Sequence, residues 1–195
     1  MSFVSARLRV IKHELGHWLV ARYVGFRVGI IEVEVILHFD KGGIKHYGHR
    51  GSSKVYPAPV IAEIADLQAY LEKRIQVLYA GFAAQIHGEV LTPVETGQLM
   101  ERDAIGDINV IRELAPLLRG ILYGEETSVD VTQEQCEEML DPIWDKTQSL
   151  IEDLHPQIVW MAEKLVAIVT RHGANYPFPL NMLEHYANEY ENQIA

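Results

Sequence analysis

Residues 13–17 read His13-Glu14-Leu15-Gly16-His17, the pattern H-E-x-x-H. On an α-helix, positions i and i+4 project from one face, so His13 and His17 can reach a single ion. Neutral imidazoles are good zinc ligands, and two of them leave room for a third protein ligand and a water. Glu14 follows the first of them, where it can take a proton from a water whose pKa the ion lowers. These residue types at this spacing describe the core of a zinc hydrolase: Zn2+ as cofactor, His13 and His17 as metal ligands, Glu14 as the catalytic general base.

The element that must carry them is a helix predicted from Ser5, as N-cap, to Tyr23, with Gly25 as its stop. One apolar stripe runs through Val4, Leu8, Ile11, Leu15 and Trp18, and another through Val10, Val20 and Val24 around the histidines. A helix apolar nearly all round is buried. Imidazoles and a carboxylate inside it are costly unless something satisfies them, and a metal would.

Further along, Ile30–Leu37 alternates as a strand, Asp40-Lys41-Gly42-Gly43 is a turn signal, and Ile44–His49 returns as a hairpin partner. His38, His46 and His49 around this hairpin read as scattered surface histidines. Gly51–Pro59 reads as a loop. From Val60 to Ile86 apolar residues recur at helical steps, with Gly81, Ala83 and Ala84 small enough for close helix packing. Leu91–Gly97 is expected as a loop and Glu101 to Arg119 as a helix, with Pro116 unsettling its last turn. Gly120–Asp130 reads as a linker. Thr132-Gln133-Glu134-Gln135 has capping-box spacing, and Asp141-Pro142 looks like a second helix start. The stripe then continues through Pro156 to Arg171, Gly173 stops it, and Asn181–Glu191 forms a short tail helix. The expected fold class is mainly α (α+β), a helical zincin-like domain with one small β-sheet or hairpin. It is read as a single domain over residues 1–195, with a motif-bearing core at 5–119 and a C-terminal helical part at 132–195.

A third ligand is needed. The long form of the motif would require glycine and then histidine where Val20 and Tyr23 stand, which excludes it. Glu63 weakly imitates the later-helix glutamate of another zinc class, because Leu67 occupies the place of the acid expected four residues on. Asp103 and Asp107 remain, four apart on one helix face, and the spacing alone does not choose between them.

Three blocks together resemble the peptidase domain of the membrane-anchored AAA+ zinc proteases of the FtsH type. His13-Glu14-Leu15-Gly16-His17-Trp18-Leu19-Val20-Ala21 is similar to that family's H-E-A-G-H-A-x-V-A. Ala80-Gly81-Phe82-Ala83-Ala84 is similar to its G-G-x-A-A helix motif, and Ala104-Ile105-Gly106-Asp107-Ile108 with Glu113-Leu114-Ala115 to its aspartate-bearing block. The resemblance implies His13, His17 and Asp107 as zinc ligands and Glu14 as general base. It also implies an edge strand near Ile44–Tyr47 that holds an extended peptide or unfolded polypeptide by strand addition. Departures are Gln85 where the family has an acid, an extra stretch Leu91–Met100, no membrane anchor, and no G-x-x-x-x-G-K-[ST]. Activity is therefore expected to be ATP-independent by itself.

The formal net charge of −10 argues against nucleic acid or an anionic membrane surface as main partner. Cys136 is the one cysteine, which excludes a disulfide framework and fits a reducing, cytoplasmic setting. Arg7, Arg9, Lys12 and Glu14 interrupt any signal-peptide core, and no stretch has the length of a membrane span. The C-terminal stripe suits either a bundle within the domain or an interface of a homo-oligomer. Tyr23, Tyr47, His46 and His49 are the candidates for holding an oxyanion. The rival reading is a catalytically silent zinc-binding interaction or regulatory domain.

Overall fold

Helix α1 (Phe3–Tyr23) is the element around which the others are laid. Apart from half-buried Lys12, its residues from Val10 to Ala21 are buried. Val4 and Leu8, expected in the apolar stripe, are exposed instead. Its N-cap is Ser2, whose hydroxyl accepts from the Ser5 backbone N–H at 3.0 Å, so Ser5 lies one turn inside the helix. At the other end Gly25 takes φ +88°, its N–H bonding Arg22 and the Phe26 N–H bonding Ala21, the hydrogen-bond pair of a Schellman stop. The computed structural model describes residues 2–125 and 128–194.

A three-stranded antiparallel sheet lies against α1, in the order β2-β1-β3, from β1 (Arg27–Phe39), β2 (Lys45–Tyr56) and β3 (Asn175–Phe178). The turn between β1 and β2 forms as expected, with Asp40 Oδ1 accepting from the backbone N–H of Gly42 and Ile44. Strand β2 runs further than Ile44–His49, because residues 51–56, expected as loop, pair with β1 at Val33↔Gly51, Ile31↔Ser53 and Arg27↔Tyr56. A register shift between Val28 and Ile31 marks a bulge, and there the Gly29 carbonyl accepts from the Trp18 indole N–H at 3.0 Å. Strand β3 has no counterpart among the sequence expectations. It sits at the sheet edge, where Pro177 is tolerated.

Helix α2 (Ile64–Ile86) starts four residues later than expected, where Asp66 Oδ2 accepts from the backbone of Ala62 and Glu63. Residues 93–97 are helical rather than loop: α3 (Pro93–Asp103) opens on a capping box between Thr92 and Glu95. The helix expected over 101–119 is broken at Ala104, and α4 (Ile105–Tyr123) continues through Pro116. Helix α5 (Val129–Ile168) is capped by Ser128, so the two starts expected at Thr132 and Asp141 both lie inside one 40-residue helix that passes Pro142 and Pro156. Of the expected linker at 120–130, Glu126 and Thr127 lie outside the described residues. Helix α6 (Leu180–Ile194) is the tail helix.

The fold is mainly α with one small sheet, and its apolar interior has two parts. The larger joins α1, the inner face of β1, the second half of α5 and α6 through residues such as Trp18, Val33, Ile158 and Leu183. The smaller joins α2, α4 and the first half of α5 through Ile75, Ile111, Leu118 and Met139. Helix α2 belongs to both, with Val77, Ala80 and Ala84 facing the first and Leu71, Ile75 and Leu78 the second. The candidate site lies along that seam. No described helix is long and apolar enough to cross a membrane.

Candidate metal centre

Two glycines bring α1 and α2 together. A Cβ on Gly16 would overlap the Ala80 carbonyl oxygen and stand 2.7 Å from the Ala84 Cβ, so the helices touch through backbone and methyl groups there. A Cβ on Gly81 would fall onto the His17 ring and 2.7 Å from His13 Nε2. The small residues singled out at 81–84 thus serve two ends: they close the helix pair, and Gly81 leaves the space into which both imidazoles point.

Helix α4 brings a carboxylate to the same point. Asp107 Oδ2 lies 3.2 Å from His13 Nε2 and 3.3 Å from His17 Nε2, and the three donor atoms all fall within 4.8 Å of one another. Ligands about 2.0–2.1 Å from a tetrahedral ion are about 3.3 Å apart, so these separations suit a shared divalent ion. The far nitrogens are committed elsewhere. His17 Nδ1 donates to the Val77 carbonyl at 2.7 Å, and a carbonyl can only accept. His13 Nδ1 meets Gln85 Oε1 at 3.1 Å, while Gln85 Nε2 donates to Asp103 Oδ2 at 2.7 Å. Because the Asp103 carboxylate only accepts, the amide end of Gln85 faces it and its oxygen is left to accept the His13 Nδ1–H. Both neutral imidazoles therefore present an unprotonated Nε2, the form a metal requires.

Without an ion, His17 and Asp107 form a charged pair. Burial works to lower the His17 pKa, but the Asp107 charge and hydrogen bond, helped by Glu14, raise it to about 9. Burial likewise opposes ionisation of Asp107, yet the two imidazoles hold its carboxyl well below the usual range.

Glu14 is 5 % exposed, and its Oε2 has no hydrogen-bond partner. Two residues of β2 hold the backbone and side chain in place. Ser53 Oγ donates to the Glu14 carbonyl at 2.7 Å, and Gly51 lies so close that any Cβ there would overlap the Glu14 carboxylate. An orphaned carboxylate oxygen beside a histidine–histidine–aspartate cluster fits a site built around a cation and a water. The cluster opens into a cleft of about 470 Å³ lined by Glu14 and the two histidines and, from β2, by His49–Ser53 and Val55. Five consecutive residues of an edge strand, His49 to Ser53, line it.

The other expectations sort by place. Asp103 does not face the histidine Nε2 atoms; it is held by Arg102 at 2.7 and 3.0 Å, by Gln85, and by Arg9 at 3.6 Å. Glu63 is an exposed residue at the α2 start, outside the cleft lining. Of the oxyanion candidates, Tyr23 is 68 % exposed, His46 pairs with Asp40 at the hairpin end, and Tyr47 packs between Phe3 and His172. His49 is the one that lines the cleft, half-buried and not a surface histidine, and burial together with the nearby His13, Arg9 and Arg102 charges outweighs Asp103 and pushes its pKa down. The strand segment along the cleft is 49–55, displaced from the expected 44–47. Gly51, Ser53 and the bridging role of Gln85 were not foreseen from sequence. Capping and periodicity carry no signal for them, since each matters through a neighbour far away in the chain. Among known proteins, no family model and no curated protein matches the chain.

Proposed function

We propose that the chain is a zinc metallopeptidase that hydrolyses peptide bonds without ATP. The observation that carries this is the convergence of His13 Nε2, His17 Nε2 and Asp107 Oδ2 beside the unpartnered Glu14 Oε2. Held by those three atoms, a zinc ion would supply Lewis acidity toward a carbonyl and lower the pKa of a nearby water. Glu14 Oε2, with no other partner, receives the proton of the attacking water and passes it to the leaving amine. His49, neutral at pH 7 and in the same cleft, is the hydrogen-bond donor for the carbonyl oxygen as it gains charge. The free edge of β2 aligns an extended peptide by strand addition, reading backbone more than side chains. Such a substrate is a flexible or unfolded polypeptide.

The sequence resemblance to FtsH-type peptidase domains supports the same reading, because all three resembling blocks meet here: 13–21 on α1, 80–84 on α2 and 104–108 at the start of α4. The lone Cys136 suits a reducing, cytoplasmic setting. The test is Glu14→Gln against wild type, both zinc-loaded, on a denatured protein and on quenched fluorescent peptides. Turnover should fall by about 10²–10⁴-fold while zinc content is unchanged, the range for a general base. A variant as active as wild type, or a wild type that cuts nothing, would defeat the peptidase reading.

A further inference from the structure

Gln85 stands where the resembling family has an acid, and its surroundings explain the amide. It is 2 % exposed and bonded at both ends: Oε1 faces His13 Nδ1 and Nε2 donates to Asp103. Asp103 closes α3, immediately before the break at Ala104 and one turn ahead of Asp107. Resting on the metal-site reading above, we propose that Gln85 is a positioning residue that ties two metal ligands together, fixing His13 directly and Asp107 through the Asp103 anchor.

The corner that carries Asp107 needs such an anchor. Helix α3 buries none of its residues, and α4 begins at Ala104 without a side-chain cap. The first large apolar residue that α4 buries is Ile111, one turn past Asp107. Before Asp107, Ala104 is buried and Asp103 ties the corner to the body through polar contacts. Those contacts form one chain: Arg9 and Arg102 balance the Asp103 charge, Asp103 accepts from Gln85, and Gln85 accepts from His13.

Only a side chain that both donates and accepts can occupy position 85 in this chain. A glutamate there would set a second carboxylate against Asp103, at a contact now 2.7 Å long. A hydrocarbon would leave the His13 N–H unpaired and buried, and Asp103 Oδ2 would keep Arg102 but lose its tie to α2. The polarity can nevertheless be reversed. With glutamate at 85 and asparagine at 103, the new carboxylate accepts from both His13 and the asparagine amide, and the asparagine oxygen still accepts from Arg102 Nε, while Arg102 Nη2 gives up the oxygen it now shares with Gln85. One negative charge is kept and moved one link closer to the metal ligands.

The experiment compares wild type, Gln85→Glu, Asp103→Asn and the double variant as full-length chains. Zinc affinity is read by competition with a chromophoric chelator, and coordination by the visible spectrum of the cobalt(II) forms. Gln85→Glu keeps an acceptor for His13 but sets two carboxylates against each other and breaks the tie to Asp103, so zinc binding should weaken by about 10-fold, the low end for disturbing the groups behind metal ligands. Asp103→Asn, which keeps an acceptor for Gln85 but loses the charge, should weaken it by less. The double variant should return to within about 3-fold of wild type with a wild-type cobalt spectrum, a rescue that independent effects would not produce. Thermal unfolding of the chelator-treated proteins checks that all four fold. Single variants that bind zinc as wild type does, or a double variant as weak as the product of the singles, overturn the proposal while leaving the metal site standing. A wild type that binds no zinc overturns the functional reading itself, and the relay with it.

Discussion

The candidate centre is assembled from two regions held by different physics. His13, Glu14 and His17 sit on a stretch of helix buried from Val10 to Ala21 but for half-buried Lys12, closed against α2 by Gly16 and Gly81 and against β2 by Gly51. Asp107 comes from the α3–α4 corner, where α3 buries nothing and ion pairs and amide hydrogen bonds replace apolar packing. Close packing transmits any change of volume, whereas polar anchors on a half-exposed corner give way locally. The difference teaches that damage to the first region should appear as lost stability, and damage to the second as lost metal affinity in a protein that stays folded.

The sharpest way to break this contrast is Gly16→Val. The new methyls have no space between the Ala80 carbonyl and Ala84, so stability should fall by about 3 kcal/mol or more and Tm by about 10 °C, read by calorimetry. A variant within about 1 kcal/mol of wild type would show that the α1–α2 seam is looser than described.

Next in size is the pH dependence of the metal-free protein. The folded His17 pKa of about 9 exceeds the ordinary 6.5, so its imidazolium stabilises the fold below pH 6.5, and this is lost as pH rises through 9. Asp107, lowered from 3.8, contributes above that value and is lost only in strong acid. Chelator-treated protein should therefore lose up to about 3 kcal/mol of stability between pH 6.5 and 9. Zinc affinity should rise over the same window, because His17 must give up its proton to bind. A flat Tm profile from pH 6 to 10 would mean that Asp107 does not reach His17 in solution.

The smallest effect belongs to the corner. Thr92→Ala removes the α3 cap far from the ligands, at about 1 kcal/mol for that helix. Because α3 buries no residue, global Tm should move by only about 1–2 °C, while zinc affinity drops measurably through the Asp103 anchor. A large Tm change with unaltered zinc affinity would place the corner among the packed parts of the molecule.

How much was legible follows the same division. His13, Glu14 and His17 could be read because helical periodicity alone puts them on one face of an apolar helix, and Gly25 marked its end. Asp103 and Asp107 could not be separated by spacing, since both point from the same helical side; the break at Ala104 and the reach of Gln85 decide which faces the histidines. Residues 51–56 read as loop because they lead into Pro57 and Pro59, and their strand exists through pairing with β1. Pro93 reads as loop punctuation in sequence, although Thr92 and Glu95 frame it as the first residue of a helix. Pro142 suggested a start although the surrounding helix runs on past it. Gln85 looked like a flaw in the motif because its two partners lie 72 residues before it and 18 after it.

The most direct test of the central claim is metal content by mass spectrometry on wild type beside Asp107→Ala. About one zinc per chain in wild type, and a largely metal-free variant with an unchanged circular dichroism spectrum, is the predicted result. Wild type that holds no zinc after reconstitution, or that selects iron instead, would contradict the zinc site. A variant that keeps its zinc would contradict the assignment of Asp107 as the third ligand.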